Sequence, residues 1–374
     1  SEIAIRVLRA CTEINVKTVA IFTYEDRYSQ HRYKADESYQ IGDNNQPLKP
    51  YLDIDEIINL AKSKNVDAIH PGYGFLSENS DFARQCAKNG IIFIGPNPEV
   101  MDALGDKITA KKNAEKCNVP VIKGNKKKLS SLKIALSESA KIGYPLMLKA
   151  ASGGGGRGMR IIRNANDLEQ NFDSAKNESL NAFGDDTMFL EKYVEDPKHI
   201  EVQIVADNYG NIRHLYERDC SVQRRHQKVV EIAPSFNISE EVKQNLYKYA
   251  LAIAKQVSYN NIGTVEFLVD KEDQVYFIEV NPRIQVEHTV TEMVTGIDLV
   301  KTQIFVAGGY KLSDTQIKIN DQESIATYGF ALQCRLTTED PENNFTPDYG
   351  TITTYRSASG MGIRLDAGSI YQSY

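Results

Sequence analysis

The 374-residue sequence is too long for one ordinary core, so two or three domains are expected. Its composition is 25% charged and 41% hydrophobic with a formal net charge of -6, which is globular and excludes a polyanion binder acting through overall charge. Five cysteines without a C-x-x-C pair suggest neither a zinc knuckle nor a disulfide framework, and no apolar run approaches the roughly 20 residues of a membrane span. A reducing, cytoplasmic setting is the expectation.

"SEIAIRVLRACTEI" reads as an amphipathic helix, with Ile3, Val7, Cys11 and Ile14 on one side. Chains of this type usually open with a strand, so the expectation is that the sequence begins inside a domain. To about residue 105, short apolar strands ("TVAIF" 18–22, "DAIHP" 67–71, "IIFIG" 91–95) alternate with helices such as "DIDEIINLAKSK". That alternation predicts a parallel sheet in an open α/β domain, residues 1–105. A helix and the Lys-rich "KGNKKKLSS" follow, read as a solvated connector over 106–124 and just beyond. Residues 125–195 read as a small α+β lid: a helix closed by Gly143, strands "LMLKAA", "MRIIR" and "MFLEKYV", and a polar helix before the last. The remainder, 196–374, is strand-rich, with helices predicted at 239–257 and 289–306.

"SGGGGRGM" (152–159) matches G-x-G-x-x-G through Gly153, Gly155 and Gly158. A dinucleotide fingerprint needs a helix after the glycines, and here "MRIIR" reads as a strand. A Gly-rich flap closing its N–H groups over phosphates, flanked by Lys149 and Arg157, fits better than a Rossmann site. The basic "RDCSVQRRHQK" (218–228) is either a solvated face or a source of positive charge for a small anion. His199 reads as an ordinary surface histidine. "HPGYGFLSEN" (70–79) ends a parallel strand, where α/β ligands sit.

If "EFLVD" and "VYFIEV" form a hairpin centred between Glu272 and Asp273, Glu266 faces Glu279. Facing carboxylates destabilise a sheet; a divalent cation bridging them, with Asn281 two positions along, offsets the repulsion, and the alternative is that one Glu is protonated or bends to solvent. In "FIEVNPRIQVEH", an extended chain puts Glu279, Asn281, Arg283, Gln285 and Glu287 on one face. A solvated polar strand would look the same, and Pro282, which cannot donate to a ladder, suggests that pairing loosens there.

Taken together, "HPGYGFLSEN", "GDK", "SGGGGRGMR", "EKY", "HIEVQ", "ERDCSVQRRHQKVVE", "EFL" and "NPRIQVEHTVTEM" resemble the biotin carboxylase component of biotin-dependent carboxylases, over essentially the whole chain. "HRYKADESY", "PLKPYLDIDEII" and "DPENNFTPDYGTI" look most like the version in pyruvate carboxylases. The resemblance implies an ATP-grasp fold and carboxylation of biotin by bicarbonate through carboxyphosphate, with ATP cleaved to ADP and phosphate. It implies Lys107 and Lys149 on the ATP phosphates beneath Gly153, Gly154, Gly155, Gly156 and Gly158, with Glu191, Lys192 and Val194 at the adenine. His199, Gln223 and His226 would lie along the ribose and phosphates, and Glu266, Glu279 and Asn281 would hold Mg²⁺ or Mn²⁺.

Arg283 would grip bicarbonate with Gln285, the Val286 amide and Lys228. Glu287 would be the general base, and Arg335 would stabilise the biotin anion near Tyr73. Implied partners are a biotin carrier domain, a carboxyltransferase domain and further copies of the chain, as dimers or as tetramers in a full pyruvate carboxylase. Other readings are the biotin carboxylase of an acyl-CoA carboxylase, another ATP-grasp carboxylate–amine ligase, and a non-catalytic nucleotide-binding module.

Overall fold

The computed structural model describes residues 1–125, 128–150, 159–225, 227–348 and 352–368. Its first part runs α1 (Glu2–Glu13), β1 (Val19–Phe22), α2 (Gln30–Lys34), β2 (Glu37–Gln40), α3 (Ile54–Ser63), β3 (Ala68–Ile69), α4 (Ser80–Lys88), β4 (Ile92–Phe93), α5 (Pro98–Gly105) and α6 (Lys107–Lys116). The strands pair in parallel, as expected, but as two separate ladders, β1 with β2 and β3 with β4. Two-residue strands are too short to bond a second neighbour for any length. Helix starts follow local chemistry: the side chains of Asp53, Asn79 and Asp106 each accept the backbone N–H three residues on.

The second part comprises α7 (Leu132–Ile142), β5 (Leu146–Ala150), β6 (Arg160–Ile162), α8 (Ala165–Phe183) and β7 (Met188–Lys192). Its antiparallel sheet, ordered β6-β5-β7, buries Leu146, Leu148, Ile162 and Leu190 against Leu168 and Phe172 of α8. Gly143 closes α7 at φ +87, as predicted. Among its described residues the Lys-rich stretch is exposed at Lys123 and Lys128 but tied down at two points. Asn125 N–H donates to Leu190 O (3.0 Å), Leu129 N–H donates to Met188 O (3.2 Å), and Leu129 is fully buried. Gly124 permits this approach, since a Cβ there would stand 2.8 Å from Leu190 O.

The third part contains β8 (Lys198–Ala206), β9 (Ile212–Arg224), β10 (Gln227–Ala233), α9 (Glu240–Gln256), β11 (Asn261–Val269), β12 (Val275–Asn281), α10 (His288–Thr295), α11 (Leu299–Ala307), β13 (Ala331–Cys334) and a short pair, β14 (Glu339–Asp340) and β15 (Thr346–Pro347). Its six-stranded sheet is ordered β12-β11-β8-β9-β10-β13. One face packs Ile200, Val202, Val265, Phe267 and Phe277 against Leu246, Ala250 and Ile253 of α9. The other face carries the polar site.

Three expectations change here. The basic 218–228 segment is a hairpin, the end of β9 turning into β10. The helix predicted over 289–306 is two helices, because Gly296 takes a left-handed conformation (φ +70) and Asp298 caps α11 through Lys301 N–H. The extended ladder holds only to Asn281. Residues 282–287 are irregular, and Glu287 stands at the N-cap of α10. Pro282 accounts for the break, since it has no N–H to continue the ladder. Among the described residues, no helix is long and apolar enough to cross a membrane.

Candidate active site

The site begins with a register. Glu266 pairs directly with Glu279 across β11 and β12, and with Glu201 of β8 on its other side, which in turn pairs with Arg218 of β9. Four adjacent strands thus carry a transverse row of Arg218, Glu201, Glu266 and Glu279. The expected Glu266–Glu279 pairing is met by an unexpected route. Below it, Phe267 pairs with Phe277 and Val269 with Val275, one residue out of phase, and a bulge at Ile278 restores the match. The bulge also lets Phe277 and Val280 both enter the α9 core while Glu279 stays on the polar face.

Three carboxylates in a row require cations. Lys228 Nζ, on β10, donates to Glu201 Oε2 (2.5 Å), Glu266 Oε1 (2.8 Å) and Glu287 Oε1 (2.8 Å). Burial alone would favour the neutral amine, but the three carboxylates outweigh it and hold the ammonium charged far above the usual lysine range. Burial likewise opposes ionisation of Glu266, yet Lys228 and His199 hold its carboxyl well below the ordinary value. His199 Nε2 lies 2.6 Å from Glu266 Oε2 and its Nδ1 lies 2.8 Å from Gln223 Nε2, so this histidine belongs to the site rather than to an ordinary surface.

Arg218 is not the anion-facing charge its basic neighbourhood suggests. It is fully buried, and each of its five N–H donors meets one acceptor. Nε donates to Glu201 Oε1 (2.5 Å), Nη1 to Gln203 Oε1 (2.7 Å) and Thr291 Oγ1 (3.0 Å), Nη2 to Thr264 Oγ1 (3.1 Å) and Gln285 Oε1 (2.8 Å). Gln285 is therefore fixed from behind, and its Nε2 donates to Glu266 Oε1 (2.9 Å).

Glu287 is 2% exposed and accepts from Lys228 on one oxygen and from Arg335 Nη2 (2.9 Å) on the other. Burial pushes its carboxyl up, but Lys228, Arg218 and Arg335 together bring it down to about 2. Arg335, just past β13, also donates Nε to Glu231 Oε1 (2.7 Å). Arg283 stands apart from this cluster: Nε donates to Glu78 Oε1 (2.7 Å) in the 70–79 loop and Nη2 to Asn281 Oδ1 (3.0 Å). Tyr73, from the same loop, packs against the apolar cluster that includes Ile284, next to Arg283. Val286 lies in the irregular turn between Gln285 and Glu287.

On the second part, Lys149 Nζ donates to Glu191 Oε2 (2.5 Å), and Lys111 of α6 pairs with the other oxygen. Lys192 points elsewhere, its Nζ donating to Tyr144 O (2.7 Å), and with Val194 it lines a cleft of about 390 Å³ between Val121–Lys123 and Asp270–Glu272. Lys107 opens α6. The readings for the Lys107 side chain, for Gly153, Gly154, Gly155, Gly156, Arg157 and Gly158, and for His226 lie outside what the structure describes.

Sequence reasoning missed Glu201 and Glu231 and misassigned Arg218. A signal for Glu201 existed: in "HIEVQIVAD", Glu201 and Gln203 alternate with Ile200, Val202 and Ile204, so one face is polar at the centre of a long strand. Two facing carboxylates and an amide oxygen are a hard-ligand set that fits Mg²⁺ or Mn²⁺. Asn281 presents Nδ2 to Glu266 (2.8 Å) and Oδ1 to Arg283, so one lone pair of its oxygen is engaged and the other is open to a metal.

A six-stranded sheet whose polar face pairs Glu266 with Glu279, together with a three-stranded sheet that carries Lys149, is the arrangement of an ATP-grasp enzyme. Residues 1–101 match the family described as biotin carboxylase, N-terminal domain, and residues 106–315 that described as carbamoyl-phosphate synthase L chain, ATP binding domain. Pyruvate carboxylase of Bacillus subtilis (strain 168) is 54% identical over 371 residues, covering 99% of this chain and 32% of that protein. Human mitochondrial pyruvate carboxylase is also 54% identical, with 99% and 31% covered. The biotin carboxylase domain dimer of Hydrogenobacter thermophilus 2-oxoglutarate carboxylase, in complex with MgADP, ADP and bicarbonate, has a TM-score of 0.93 at 46% identity, covering 99% of this chain and 80% of that one. The chain belongs to the biotin carboxylase family of ATP-dependent ligases. It spans about a third of the length of the curated relatives it matches.

Proposed function

We propose that this chain carboxylates biotin with bicarbonate at the expense of ATP, the first half-reaction of a biotin-dependent carboxylase, and that the whole protein passes the carboxyl group to pyruvate. The observation that carries the reading is the buried chain Glu266–Lys228–Glu287–Arg335, in which metal-binding, base and anion-binding groups lie within successive hydrogen bonds of one another.

In this reading Glu266, Glu279 and Asn281 would hold Mg²⁺ or Mn²⁺, which would supply charge neutralisation at the ATP phosphates. Lys149 leaves Glu191 for a phosphate. Arg283 presents its planar fork to bicarbonate. Glu287 takes the bicarbonate proton as the bicarbonate oxygen attacks the γ-phosphorus, giving carboxyphosphate and ADP. A carboxyl at about 2 is a poor base while two cations grip it. An entering anion competes for Lys228 and Arg335, and losing those donors raises the carboxyl toward a useful range. Carboxyphosphate then yields CO₂ and phosphate, the phosphate takes the biotin N–H proton, and the biotin nitrogen attacks CO₂. Arg335 stabilises the anion formed on biotin. Positioning and charge neutralisation supply most of the catalysis in phosphoryl transfer of this kind.

The divisions at residues 105, 124 and 195, a cytoplasmic setting, a biotin carrier domain, a carboxyltransferase domain and assembly as dimers or tetramers belong to the same proposal. Relatives three times as long support further domains, and the dimeric Hydrogenobacter domain supports self-association. That relative's name also favours a second reading for the acceptor, another 2-oxo acid in place of pyruvate. The test is phosphate release from ATP: dependence on bicarbonate with stimulation by free biotin is expected, and stimulation only by an amine overturns the reading in favour of a carboxylate–amine ligase.

A further inference from the structure

Glu231 lies on β10, paired with Gln333 of β13, and its side chain is completely buried on the polar side of the sheet. One oxygen accepts from Arg335 Nε at 2.7 Å. The other, Oε2, has no hydrogen-bond partner among the described residues. Leaving a buried carboxylate oxygen unpaired is costly, and native proteins keep such groups where a function or a bound molecule compensates. Burial raises the carboxyl above its ordinary value although Arg335 opposes that shift.

The Arg335 guanidinium is held on two edges, by Glu231 at Nε and by Glu287 at Nη2. These two contacts differ during turnover. When Glu287 accepts a proton it becomes a weaker acceptor, and when an anion enters, Arg335 is drawn from it. Glu231 takes no part in that proton transfer, so its grip on Nε persists.

We propose that Glu231 is the positioning residue for Arg335, anchoring the guanidinium at Nε through the steps in which Glu287 lets go. The inference rests on the reading of Arg335 as the group that stabilises the biotin anion. The geometry restricts the substitutions. Glu231→Gln keeps an oxygen that accepts from Nε, whereas Glu231→Asp withdraws it by one methylene without emptying the site.

The test uses the full-length protein with Mg²⁺, bicarbonate and free biotin, and reads the ratio of biotin-stimulated to biotin-free ATP hydrolysis together with KM for ATP. Glu231→Asp is expected to lower that ratio about 10- to 100-fold, the loss of one charge-assisted hydrogen bond, with KM for ATP within about twofold. Glu231→Gln should recover most of it. An unchanged ratio in Glu231→Asp, or equal damage to ATP binding in both variants, overturns the inference. Arg335→Ala separates the premises. If it lowers the ratio while Glu231→Asp does not, only the role of Glu231 fails; if it leaves the ratio intact, the reading of Arg335 fails and the anchor with it.

Discussion

Replacing Arg218 by Met tests whether the site is organised by a buried guanidinium. The change leaves five acceptors facing an apolar chain: Glu201 Oε1, Gln203 Oε1, Thr264 Oγ1, Gln285 Oε1 and Thr291 Oγ1. The threonine hydroxyls can rotate to other acceptors, and Glu201 keeps Lys228, so the loss is less than five separate bonds. Breaking a buried ion pair on one side costs about 3–5 kcal/mol. At about 2–4 °C per kcal/mol, the melting temperature should fall by roughly 6–20 °C. Arg218→Lys keeps the charge but offers three donors for five acceptors, and should fall between Met and the unaltered protein. Scanning calorimetry on the three proteins measures this. A Met variant within about 1 kcal/mol of the parent would refute the reasoning, because it would mean the five contacts contribute nothing net.

Glu287→Gln should cut bicarbonate-dependent turnover by about 10²- to 10⁴-fold while ATP binding, followed by calorimetric titration, is kept; normal turnover removes the general base. The same carboxyl falls from 4.5 to about 2 on folding, so ionised Glu287 stabilises the protein fully above pH 4.5 and loses that contribution as pH falls through about 2. At about 1.4 kcal/mol per unit this is about 3 kcal/mol in all, of which about 2 kcal/mol is lost by pH 3, and denaturant titrations at pH 7 and pH 3 should show an acid loss smaller by about that amount in Glu287→Gln. Gly263→Ala should destabilise by about 1–3 kcal/mol, because its Cβ would stand 1.9 Å from the Tyr259 hydroxyl oxygen, whose hydrogen bond to Ile262 O fixes the ring in the core; a neutral result in thermal melts contradicts that packing. Glu279→Gln should raise the Mg²⁺ concentration for half-maximal ATPase at least about tenfold, and an unchanged requirement places the metal elsewhere.

Local chemistry explains which features the sequence revealed. The Gly143 stop of α7 was legible because capping acts within four residues. The Glu266–Glu279 encounter was legible as a clash demanding a cation, although the bulge at Ile278 that produces it left no trace in residue counting. What failed to read were contacts closed by distant strands. Arg218 looks solvated beside Arg224 and Arg225, and only the sheet order shows that five acceptors from four other segments enclose it. Glu231 is a lone acid among valines and isoleucine until β13 brings Arg335 alongside. Pro282 did signal the end of the ladder, but the fold that gathers Gln285 and Glu287 beyond it depends on Arg218 and Lys228, more than 50 residues earlier.

The most direct test of the account follows radiolabelled bicarbonate into free biotin with the full-length protein, ATP and Mg²⁺. Acid-labile label on biotin that requires ATP and disappears in Glu287→Gln is expected. Phosphate release with no label on biotin, at the same rate with and without bicarbonate, would contradict it.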